Sequence, residues 1–142
     1  MSTPSSGPRP VVAGADGSDS SVAAALYAAE EAHRRSLPLL LVHATPWNLS
    51  GTGTPPPPAE AQRLLAESVA GWRDKEPDVA IREVVVRDRP AVALREAAMS
   101  AELLVVGHRH RHVLARLGST VHGLLHRTPC PLAVVPLLRA DA

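Results

Sequence analysis

Residues 102–136, ELLVVGHRHRHVLARLGSTVHGLLHRTPCPLAVVP, decide the fold. They read as strand, loop, helix, strand. Leu103 to Val106 is an unbroken apolar run that ends at Gly107. A basic loop follows, and Gly118-Ser119-Thr120 has the character of a helix start. Val121, Leu124 and Leu125 recur at i, i+3 and i+4, the period of a helix with one buried face. Thr128-Pro129 stops it, because proline lacks an N–H and clashes with the preceding turn. Leu132 to Val135 is a second apolar run. Two strands joined through a helix require a crossover, and crossovers make parallel sheets. Ligands of such sheets sit beyond the carboxyl ends of the strands. The expected site is therefore the loop from Gly107 to Thr120.

Working outward, the same alternation fills the chain. Residues 1–9 are rich in Pro, Ser and Gly and are expected to be a disordered tail. Val11 to Gly14 is a short strand. Asp16-Gly17 breaks it, and Ser18 is suited to cap the next helix. Val22, Ala25, Leu26, Ala29 and Ala32 form that helix's expected inner stripe, with Glu30, Glu31, Arg34 and Arg35 outside. Leu37 to Val42 is a second strand, apolar at nearly every position, as expected when both sheet faces are covered. Residues 43–58 form a loop with Trp47 and four consecutive prolines. Ala61, Leu64, Leu65, Ser68 and Trp72 trace a second helix. Val79 to Val86 is a third strand, and Arg82 and Glu83 mark it as an edge. Asp88-Arg89-Pro90 opens a third helix, since Pro90 fits the first helical position; Leu94, Ala97 and Ala98 face the core. Five strands alternating with four helices predict a three-layer α/β/α sandwich on a parallel sheet. The expected single domain spans residues 10–137, with a short tail at 138–142.

Composition narrows the function. The chain has 142 residues, a net charge of +1 and only three aromatic residues, Tyr27, Trp47 and Trp72. That balance selects neither a polyanion nor a membrane surface, and offers no platform for stacking bases. No apolar run approaches the ~20 residues of a membrane helix. Cys130 is the single cysteine; with no secretory leader at the start, a cytoplasmic location is expected.

Three segments resemble the universal stress protein family: VVAGADGSDSSVAAALYAAEEAHRR at 11–35, LLLVHA at 39–44, and LLVVGHRHRHVLARLGSTVHGLLHRTPCPLAVVP at 103–136. The resemblance implies a Rossmann-like five-stranded sheet in the order 3-2-1-4-5 and a homodimer built on the last strand, through Leu132 and Val134. Some members of the family bind ATP or AMP. Those members carry G-x2-G-x9-G-[ST] after the fourth strand. Gly107 matches the first glycine, and Gly118-Ser119 matches the last pair. The second glycine is His110, and only seven residues separate it from Gly118. By resemblance Asp16, beside Ala15, faces a ribose and Ala44 lies by an adenine. Val106 and Gly107 line the floor, and Gly118, Ser119, Thr120 and Val121 meet phosphates.

Backbone amides converge on phosphate most easily through conformations that glycine reaches freely. A Cβ at His110 blocks that approach, and a shorter loop moves the remaining donors. The amides near Ser119 still favour an anion by roughly 0.3–1 kcal/mol, and Arg109, Arg111 and Arg116 add charge. The expected function is thus a regulatory or binding module of the stress response with weakened or absent adenine-nucleotide binding. A fully competent ATP or AMP binder is the alternative, and a slow ATP hydrolase using the same pocket is the third reading. Asp16 and Ser119 also serve as ordinary turn and cap residues.

No metal is expected. His108, His110 and His112 alternate with arginines, whose charge opposes a cation, and His122 and His126 share a helix side without a carboxylate between them. Cys130, between two prolines, reads as a small buried hydrophobe. No nucleophile elbow or zinc-protease motif is present, so no enzymatic centre is expected. The last strand is short, apolar and bounded by Pro131 and Pro136, and a bare edge of this kind invites pairing with another chain.

Overall fold

A computed structural model describes residues 7–15, 19–45, 63, 66, 70–74, 77–109, 119–124 and 128–137. In chain order the elements are β1 (Val11–Gly14), α1 (Asp19–Arg35), β2 (Leu39–Thr45), β3 (Ile81–Arg87), α2 (Pro90–Ala98), β4 (Leu103–Arg109), α3 (Ser119–Leu124) and β5 (Leu132–Leu137). Residues 63, 66 and 70–74 are helical. The loop with Trp47 and the proline run, the Ser18 cap, Ala61, Leu64, Leu65, Ser68, Leu125 and the 138–142 tail lie outside the described residues.

The five strands form one sheet in the order β3-β2-β1-β4-β5, and every pairing is parallel. Both faces are covered, which is why the central strands read as continuous apolar runs. On one face Val11, Ala13, Leu39, Leu41, Leu103 and Val105 meet α1, with Trp72 packed at the side. On the other, Val12, Val42, Leu104 and Val106 meet Leu94 and Ala98 of α2 and Val121 and Leu124 of α3. Pro90 stands at the first turn of α2, and Arg89, the residue before it, is extended (φ −65°, ψ 142°), as a residue preceding proline must be.

Four strands run past the ends expected for them, β3 by the single residue Arg87. β2 continues through His43, Ala44 and Thr45, and β4 through Gly107, His108 and Arg109. β5 continues through Pro136 and Leu137, opposite His108 and Arg109. Pro136 is tolerated because of ladder parity. Leu104 N–H bonds the Pro131 carbonyl at 3.0 Å, so residues 131, 133, 135 and 137 address β4. Residue 136 turns its nitrogen to the free side, where a missing donor leaves nothing unpaired.

The inner face of α1 is also displaced from expectation. Ala24, Ala25, Ala28, Ala29 and Ala32 are buried, whereas Leu26 is 42% exposed. Alanine side chains let the helix backbone come close to the sheet, and a leucine on that face would hold it off. Glu31, expected outside, is only 7% exposed. Its carboxylate is paired within its own helix: Arg34 donates to it at 2.7 Å and Arg35 at 3.0 Å. The Arg34 bond, opposed by partial burial and aided by Arg35, holds the Glu31 carboxyl below its ordinary value.

α1 ends in a Schellman arrangement. Leu37 N–H bonds Ala32 O at 2.8 Å and Ser36 N–H bonds His33 O at 3.2 Å. This requires Ser36 at φ 56°, a left-handed conformation that costs a residue with a Cβ roughly 1–2 kcal/mol. Replacing Ser36 with Gly is expected to stabilise the fold by about 1 kcal/mol. Urea denaturation, read as a higher midpoint at unchanged slope, checks it.

Candidate functional site

The carboxyl rim of the sheet contains a notch. β1 stops at Gly14, paired with Val42, and its ladder with β4 ends at Ala13 and Val105. The flanking strands continue, β2 to Thr45 and β4 to Arg109. At about 3.3 Å per residue, the middle strand ends roughly 10 Å short of its neighbours. The notch lies between β1 and β4, from which the chain winds to opposite sides, and open α/β sheets take their ligands at such a reversal.

A cleft of about 110 Å³ occupies the notch. Gly14 and Ala15 form its base, Val42 and Ala44 one side, and Val106 and Gly107 the other. Ser20 and Ser21 of α1 and Pro90 and Leu94 of α2 complete the lining. Among these, only the two serines carry polar side chains, and both are buried. Ala15 is held to β2 twice. Its N–H bonds Val42 O at 2.9 Å, and its carbonyl accepts a bond from His43 Nδ1 at 2.8 Å.

Of the residues singled out from sequence, Ala15, Ala44, Val106 and Gly107 meet in this cleft. Asp16, His110 and Gly118 lie outside the described residues, as do Arg111, Arg116, His112 and His126. Ser119 and Thr120 open α3. Val121 is buried in the α2 and α3 face of the core rather than lining the cleft. Sequence reading missed Ser20, Ser21, Pro90 and Leu94, which reach the cleft through packing between elements far apart in the chain. It also missed His43, placed in a loop by the early end assigned to β2.

His108 belongs to β4 and is buried, so it is not part of a solvated basic loop. Among the described residues no group of three His, Cys, Asp or Glu side chains could hold a metal. Cys130 is half-buried against the α2 and α3 face. Burial pushes its thiol above the ordinary value, which disfavours the thiolate a nucleophile needs.

A larger cavity, about 520 Å³, lies at the opposite rim, around Ala32, Ser36, Leu37 and Val79. It adjoins the carboxyl end of α1, where the helix dipole repels anions. The notch is therefore the better candidate for a phosphate-bearing ligand despite its smaller volume.

Gly107 has a packing reason to be glycine. It lies within β4, opposite Val135, and its backbone is not left-handed. A Cβ there would run into the backbone carbonyl of Ser20 in the first turn of α1. Gly107→Ala is expected to destabilise the fold by about 1–3 kcal/mol through overpacking. Chemical denaturation without ligand measures this, and an unchanged midpoint would show that α1 yields freely.

The family model for the universal stress protein family matches residues 8–136. A universal stress protein of Mycobacterium tuberculosis is 41% identical over 133 residues, covering 88% of this chain and 44% of the relative. A second from that organism is 39% identical over 135 residues, covering 87% and 44%. The chain thus spans less than half the length of these curated relatives. Among solved structures, a universal stress protein from Archaeoglobus fulgidus superposes with a TM-score of 0.72 at 23% identity, covering 91% of this chain and 94% of the other. A universal stress protein in complex with cAMP gives 0.67 at 23% identity, covering 89% and 96%. The Archaeoglobus fulgidus protein in complex with dAMP gives 0.69 at 22% identity, covering 90% and 98%. These likenesses establish the fold. Among the described residues no helix is long and apolar enough to cross a membrane.

Proposed function

Because this chain belongs to the universal stress protein family, we propose that it is a small binding and regulatory module of the stress response that takes an adenine nucleotide weakly in the notch above β1. The observation that carries this reading is the early end of β1 between two longer strands, which opens a cleft where such sheets take ligands. Solved relatives of the same fold hold cAMP and dAMP, which favours an adenine nucleotide as the ligand class.

In this reading Ala15 and Asp16 attend the ribose, Ala44 lies by the adenine, and Val106 and Gly107 form the floor. His110, Gly118, Ser119 and Thr120 stand at the phosphate end, and Val121, its side chain in the core, serves there only through its backbone. The cleft is small beside the roughly 300–1,000 Å³ of typical small-molecule sites, so it accepts part of a nucleotide. Histidine replaces a glycine at 110, and the following connection is two residues short of the binding pattern. Both changes weaken the hold on phosphate. The module acts by binding rather than by catalysis, needs no metal, works in the cytoplasm, and comprises residues 10–137.

Isothermal titration with ATP and AMP tests the reading. The expected dissociation constant is about 1 mM, near −4 kcal/mol. A value below about 10 μM would restore the fully competent binder, and no heat at about 10 mM ligand would remove nucleotide from the proposal.

The same reading makes the protein a homodimer through the outer edge of β5. Leu132 and Val134 are half-buried in the single chain, and among the described residues β5 has a neighbouring strand on one side only. Val134→Lys is expected to give monomer in sedimentation velocity; a persistent dimer would place the interface elsewhere.

A further inference from the structure

The buried imidazole of His43 stands just behind the cleft without lining it. Along β2, Val42 and Ala44 turn to the cleft, so His43 between them projects from the opposite face of the sheet. It is 6% exposed, and its Nδ1 lies 2.8 Å from the carbonyl oxygen of Ala15. A carbonyl only accepts, so Nδ1 carries the proton in this bond, and the tautomer follows from the geometry. Ala15 itself is one residue beyond β1 and 5% exposed. Its carbonyl lies past the β1–β4 ladder, which ends at Ala13. His43 supplies the partner that this buried oxygen requires.

We infer that His43 is a positioning residue for the ligand cleft. It acts through Ala15, whose N–H is fixed to Val42 O and whose carbonyl is fixed to the imidazole. With both polar groups anchored on β2, the backbone at Ala15 is fixed, and the base of the cleft is formed before a ligand arrives. Preorganisation of this kind raises affinity without a new contact. The inference rests on the nucleotide-binding reading for its ligand, but not for the anchoring itself.

Three substitutions separate donation from packing. His43→Asn keeps an N–H at the position of Nδ1, His43→Gln carries its donor one bond further out, and His43→Leu has none. AMP affinity by titration and amide hydrogen exchange at Ala15 by NMR are the two readouts. His43→Leu is expected to weaken AMP binding about tenfold and to speed exchange at Ala15. His43→Asn is expected to restore both, and His43→Gln to restore neither. AMP affinity and Ala15 exchange unchanged in His43→Leu would overturn the inference, as would His43→Asn behaving like His43→Leu. If His43→Leu does not fold, the contrast between Asn and Gln decides alone. If the unaltered protein takes up no AMP, the nucleotide reading falls, while exchange at Ala15 still supports or overturns the anchoring role.

Discussion

The close seating of α1 on the sheet constrains everything near the site. Five alanines face the strands, and Gly107 leaves room for the Ser20 carbonyl at the helix's first turn. Neither feature suffices alone. Alanines without the glycine would leave the first turn lifted from β4; the glycine without the alanines would leave a gap beneath a helix held off by larger side chains. With both, Ser20 and Ser21 are carried to the rim of the notch. A glycine that family resemblance assigns to ligand binding is thus also a packing residue, and the two roles require different measurements.

The architecture was legible because burial on both faces leaves a strong mark on sequence. Val11–Gly14, Leu103–Val106 and Leu132–Val135 are apolar runs bounded by turn residues, and the observed strands contain all three. Their carboxyl ends were less legible. His43, His108 and Arg109 are polar, and polarity at the end of a run resembles the start of a loop. Ladder pairing with a neighbouring strand overrides that local signal, as the pairing of His43 with Val85 and of His108 with Pro136 shows. The inner face of α1 misled for a related reason. Hydrophobicity favours Leu26 over Ala28, but a tightly seated helix selects small side chains, and sequence does not announce the distance between layers.

The candidate site was half legible. The rule that open sheets bind ligands at their carboxyl rim pointed to the stretch from Gly107 onward, the family resemblance added Ala15, Ala44 and Val106, and these four residues do converge there. Pro90 and Leu94 could not be found, because no local pattern distinguishes a helix residue facing the core from one facing a notch. His43 illustrates a further difficulty. An isolated histidine in an apolar stretch gives no hint of its partner, and the Ala15 carbonyl is 28 positions away in the chain.

The parity that admits Pro136 into β5 also restricts what the far side of that strand can offer. Outward-facing backbone N–H groups belong to residues 132 and 134, and at 136 the ring closes the series. An antiparallel copy related by a two-fold axis would engage all four such groups, two from each chain, with residue 132 of one opposite residue 134 of the other. That choice sets Ala133 against its own symmetry mate. The smallest side chain of the strand would then sit at the axis, where identical atoms meet and bulk is least easily accommodated.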